Sequence, residues 1–140
     1  MRLRHFGITV ESLEESLEFY RDFLGFEVVR EMEEEGEHVD NFSALKNVRV
    51  RTVKLQDSNG QMIELLDYVS HPRFIHKRDI ADVGCSHFAV TVDNLDETLA
   101  NLAKKSYKPH CEPQFSPDGK VKLTFLRGPG NVLIELVEEL

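Results

Sequence analysis

Tryptophan is absent from this chain, cysteine occurs only twice, and basic residues are outnumbered by acidic ones. Cys85 and Cys111 fit neither a disulfide framework nor a zinc cluster, so both are expected to be free, Cys85 as a small buried thiol, in a reducing cytoplasmic compartment. With 17 Lys and Arg against 25 Asp and Glu, the formal net charge is −8. Such an acidic surface repels polyanions, which argues against nucleic acid or an anionic membrane as partner. No apolar run reaches the roughly 18 residues of a membrane span, and the opening MRLRHFGITV has no apolar stretch of signal-peptide length. Only 5 Pro and 8 Gly exclude fibrous and low-complexity classes. What is present is 140 residues, 41% hydrophobic and 30% charged, the composition of one globular domain with a core of its own.

The chain repeats itself. HFGITVESLEESLEF at 5–19 matches HFAVTVDNLDETLAN at 87–101, an offset of 82, and GQMIELLD at 60–67 matches NVLIELVE at 131–138, an offset of 71. Each half opens on an alternating, β-branched strand, at 4–10 in the first. A helix with an N-cap signal follows, Ser12 to Glu15 in one half and Asn94 to Glu97 in the other. Leu13, Leu17, Tyr20 and Leu24 form the apolar stripe of the first helix, which Gly25 ends; Leu95, Leu99 and Leu102 form that of the second. Three strands then follow in each half, at 26–30, 48–55 and 61–68 and at 108–112, 120–126 and 132–137, with hairpin turns at 57–60 and 128–131. The pattern predicts an α+β fold of two tandem βαβββ modules, about 1–70 and 84–140, joined by a linker at about 71–83. The charged segment 31–47 reads as an extended loop carrying the first half's extra residues.

The repeat places a histidine in the first strand of each half, His5 and His87, and a glutamate in the last, Glu64 and Glu135. Strand side chains alternate, so His5 shares a face with Gly7 and Thr9, opposite the apolar Phe6, Ile8 and Val10. Small neighbours leave room for a ligand on the histidine face. Each glutamate is flanked by apolar residues, where an unpaired carboxylate would be costly to bury. Two neutral imidazoles and two carboxylates balance one divalent cation, and such N/O donors suit Zn, Ni, Co, Mn or Fe. His38, His71, His76 and His110 have no repeat partner and read as exposed side chains. Arg49 and Arg51 share a strand face and could either reach an anionic substrate group or stand as exposed edge charges; Tyr68 and Asn41 have the same status.

MRLRHFGITVESLEESLEFYRDFLGFEVVR, MIELLDY, CSHFAVTVDNLDETL and DGKVKLTFLRGPGNVLIELVEEL together resemble the vicinal oxygen chelate superfamily, which includes glyoxalase I, methylmalonyl-CoA epimerase, extradiol dioxygenases and bleomycin or fosfomycin resistance proteins. The resemblance implies paired βαβββ modules forming a cupped mixed sheet around one divalent metal (Ni, Co, Zn or Mn before Fe), often completed in a homodimer. It maps the four ligands onto His5, Glu64, His87 and Glu135. It also implies a metal-dependent lyase or isomerase of the glyoxalase I type acting on a small molecule with adjacent oxygens, with Glu135 as base and Glu64 its counterpart. A methylmalonyl-CoA epimerase-like racemase, a non-catalytic binding protein and an iron-dependent dioxygenase are the alternatives. The opening block resembles glyoxalase I, whereas the Gly128-Pro-Gly-Asn131 turn stands where glyoxalase I commonly has Asp-Pro-Asp-Gly and is closer to the epimerases.

Overall fold

In the computed structural model, which describes residues 1–140, both N-cap signals are realised. The Ser12 hydroxyl accepts from the Glu15 amide at 3.2 Å, and the Asn94 side chain accepts from the Glu97 amide at 2.9 Å. Each satisfies an amide that the first helical turn leaves without a partner. The chain divides into two compact units, Met1–Phe74 and Ile75–Leu140.

The first unit contains β1 (Phe6–Thr9), α1 (Leu13–Leu17), β2 (Glu27–Glu35), α2 (Glu37–Ser43), β3 (Arg49–Gln56) and β4 (Met62–Asp67). Its sheet has the order β1-β4-β3-β2, with β1 parallel to β4 and the other pairs antiparallel. The second unit contains β5 (Phe88–Thr91), α3 (Leu95–Ala103), β6 (Gln114–Phe115), β7 (Val121–Arg127) and β8 (Leu133–Glu139), in the order β5-β8-β7-β6, again with only the outermost first pair parallel. The protein is therefore α+β, built on two four-stranded mixed sheets.

In each sheet one face is apolar and buried. Ile8, Val53, Leu55, Ile63 and Leu65 occupy it in the first unit, Leu126, Ile134 and Leu136 in the second. Burying such side chains is the main favourable term in each fold, at roughly 25 cal/mol per Å² of apolar surface. The parallel pairing of the first and last long strand then sets Gly7 beside Glu64 and Ala89 beside Glu135 on the opposite face.

Four local expectations are corrected. The segment 31–47 is not a loop: β2 runs on to Glu35 and α2 follows. Its glutamates hold a strand because arginines face them across the ladder, Glu33 opposite Arg51 and Glu35 opposite Arg49. The helix predicted to run to Leu24 opens after Leu17 into a π-helical turn, Glu18–Phe23, with the Phe26 amide reaching the Tyr20 carbonyl at 3.0 Å. The extra residue shifts the buried stripe, so Phe19 and Tyr20 are both fully buried while Leu17 and Leu24 are only half-buried. The strand expected at 108–112 is reduced to a single bridge, Pro109 to Leu126, and the short β6 forms further on; Pro109 and Pro113 bring no amide to a ladder. Lastly, Cys85 is exposed, as is Cys111, and both are free: Cys85 precedes β5 and no strand covers it.

Candidate functional site

His5 and His87 each stand one residue before a first strand, and Glu64 and Glu135 sit near the middle and start of a last strand. The parallel register brings them together as two pairs. His5 Nε2 lies 3.1 Å from Glu64 Oε2, and His87 Nε2 lies 3.4 Å from Glu135 Oε2. All four are half-buried, with side-chain exposures of 27% and 13% in the first pair and 32% and 21% in the second. Each unit thus supplies two donors, and no group of three or more His, Cys, Asp or Glu side chains collects into a ligand cluster.

The pairs differ in what surrounds them, and sequence reading had singled out none of these neighbours. Lys54, directly across the β3–β4 register from Glu64, places its Nζ 3.2 Å from Glu64 Oε1 and is 17% exposed. The repeat-equivalent residue is Phe125, opposite Glu135; its ring stands edge-on to His87 with centroids 5.1 Å apart. Ser86 Oγ lies 2.8 Å from His87 Nδ1, whereas the buried His5 Nδ1 has no hydrogen-bond partner, and the residue before it is the exposed Arg4. The signal for all four was the repeat itself: Lys54 and Phe125 stand at the offset of 71, Arg4 and Ser86 at the offset of 82.

Each pair presents two donors at a spacing that a divalent ion accepts. Two ligand atoms about 2.1 Å from one ion stand about 3.0 Å apart at a right angle and about 3.4 Å apart at a tetrahedral angle, the range that the two N···O separations span. In each pair the imidazole faces the carboxylate through Nε2, with Nδ1 turned away, the arrangement in which a second group can fix the ring. The Glu64 carboxylate is shared between an imidazole and an ammonium, and the buried His5 Nδ1 on the far side of the ring is left without a partner.

The arginines belong elsewhere. Arg51 and Arg73 both pair with the buried carboxylate of Asp67, whose strand position is on the apolar face rather than beside Glu64, and Arg49 reaches Glu33 at 3.7 Å. Tyr68 packs against Val39, Val48 and Val50, and Asn41 is exposed on α2. His38, His76 and His110 are exposed and His71 is half-buried beside Ser70.

This doubled β-α-β-β-β plan with a histidine and a glutamate at matching places defines a class. The family model of the Glyoxalase/Bleomycin resistance protein/Dioxygenase superfamily matches residues 2–136, and the chain belongs to that superfamily. Among curated proteins it is 29% identical to a lactoylglutathione lyase of Schizosaccharomyces pombe, over 99% of this chain and 47% of that one, so it spans about half that relative's length. It is 28% identical to a Synechocystis protein named "Probable lactoylglutathione lyase", over 99% of this chain and 95% of that one. Among solved structures, a glyoxalase family protein from Bacillus cereus superimposes with a TM-score of 0.91 at 25% identity, covering 100% of this chain and 95% of the other. No helix is long and apolar enough to cross a membrane.

Proposed function

We propose that the protein is a divalent-metal-dependent lyase or isomerase of the glyoxalase I type, which moves a proton on a small substrate with adjacent oxygens. The observation that carries this reading is the repeated pair, an imidazole nitrogen within 3.1 to 3.4 Å of a carboxylate oxygen at equivalent register in both units. Packing accepts many residues at such positions, so repetition of these two points to a shared ligand. His5, Glu64, His87 and Glu135 would hold one ion, Ni, Co, Zn or Mn ahead of Fe, by donors of the borderline N/O kind. Four such donors come from two units, in a homodimer on this reading. When bound, the ion supplies Lewis acidity at the substrate carbonyl.

The chain's own part is proton transfer. Glu135, which has no cation beside it, takes the proton from the carbon next to the carbonyl; a positioned base of this kind contributes typically about 10² to 10⁴ in rate. Return of that proton to the neighbouring carbon gives the lyase outcome, and return to the same carbon gives an epimerase. The Gly128-Pro-Gly-Asn131 turn, which resembles that of the epimerases, keeps the second outcome in the assay.

Elemental mass spectrometry of tag-free protein tests the reading first. The expected result is about one of these ions for each His5–Glu64 and His87–Glu135 set, lost in His87→Ala. Protein that stays metal-free after reconstitution overturns it, and a metal content that is mostly iron with ferrous-dependent O₂ consumption replaces it with an oxygenase.

A further inference from the structure

We infer that Lys54 makes the site select substrates whose chelating end is anionic, a 2-hydroxy or 2-oxo carboxylate, over neutral hydroxyketones of the same shape. This rests on the metal-site reading above. The argument is one of charge. Ligands bind a metal with imidazole neutral and carboxylate ionised, so the two pairs bring two negative charges, which one divalent ion cancels. Lys54 Nζ, 3.2 Å from Glu64 Oε1, then remains as an added positive charge. Nothing replaces it in the second unit, where Phe125 holds the equivalent place.

Two other cations share these sheet faces, Arg30 and Arg127, and neither pairs with Glu64 or Glu135. Arg30 stands across from Lys54 on β2 and is exposed, whereas Glu34 accepts a hydrogen bond from the Thr52 hydroxyl at 3.3 Å. In the second unit Arg127, at the end of β7, donates to the carbonyls of Asn131 and Arg78 and keeps its charge. Lys54 is only 17% exposed, so its charge is poorly screened and acts over the distance to an adjoining ligand. Its ammonium has three donors, and Glu64 uses one, which leaves donors for a substrate oxygen placed against the same ligand pair.

The test compares two probes of nearly the same shape, glycolate and hydroxyacetone, which both carry adjacent oxygens but differ in charge. Binding to the Mn(II)-loaded protein is followed by water-proton relaxation, with no turnover needed. The inference expects wild type to prefer glycolate. Lys54→Met should lose glycolate affinity by about tenfold or more, the scale of one hydrogen bond to a charged group, with hydroxyacetone binding nearly unchanged. Lys54→Arg should retain the preference. Unchanged glycolate binding in Lys54→Met overturns the inference, as does an equal loss for both probes, which would make Lys54 a support of Glu64. If circular dichroism shows Lys54→Met unfolded, Lys54→Gln is judged by the same criteria. A wild type that takes up no Mn(II) overturns the metal-site reading itself, an outcome distinct from loaded protein that ignores charge.

Discussion

The two units carry the same residues at the heart of the repeat and different residues one step away. Around Glu64 stand an imidazole and an ammonium; around Glu135 stand an imidazole and an aromatic ring. The histidines differ in the opposite sense, since His87 is braced by Ser86 and His5 Nδ1 has no partner. A duplicated strand pair therefore yields two unlike halves: a carboxylate held from two sides in the first, and an oriented imidazole beside a carboxylate tied only to it in the second. On the proposed reading, repeated donors with different neighbours allow a division of labour, because the neighbours decide which donor is fixed and which can move.

The sharpest way to break this comparison is at the carboxylates. On the proposed reading, Glu135→Gln keeps most of its bound metal and loses solvent-deuterium exchange into the substrate by about 10² to 10⁴ fold. Glu64→Gln instead weakens metal binding before anything else. Equal behaviour of the two variants in exchange and in metal content would erase the distinction between the halves.

The histidines give a smaller effect. Ser86→Ala should weaken metal binding by about 10 to 100 fold, the usual consequence of removing the group that orients a ligand, and Ser86→Thr should restore it. Arg4→Ala, at the equivalent place in the first unit, should leave affinity unchanged. Chelator competition measures both, and the imidazole ¹⁵N shifts of His87 report whether the ring's tautomer changes with the hydroxyl.

The least effect is expected from acid, and it falls on two aspartates that have no repeat relation. Backbone amides of Val48 and Asn47 donate to Asp40 at 2.8 Å each and hold its carboxyl below the usual carboxylate range. Asp118 is held low by the Ser116 hydroxyl and by the Lys120 amide. A carboxyl whose folded value is depressed stabilises the fold above its unfolded value, and that contribution fades as pH falls through the carboxylate range. Amide shifts of Asn47, Val48 and Lys120 should therefore move together with acidification, and Asp40→Asn should abolish the movement at Asn47 and Val48 alone.

Much of this architecture was legible in the chain because it depends on local rules. Ser12 and Asn94 cap helices through their own third neighbours, and the period of two in FGIT and in MIELL assigns the buried face without any knowledge of a partner. The failures came where a partner far along the chain decides. The glutamates at 31–35 read as part of a loop until Arg49 and Arg51 are placed opposite them. A helical stripe through Leu17 and Leu24 was the natural reading until the π turn made room for both Phe19 and Tyr20.

The site divides along the same line. Repetition together with the family resemblance marked His5, Glu64, His87 and Glu135. It also determined the α+β class, through periodicity and capping that each act over a few residues. Which residue stands beside each donor was the work of tertiary structure. Lys54 meets Glu64 only because the β3–β4 hairpin closes in one register, and a shift of one residue would turn its ammonium to the other face of the sheet.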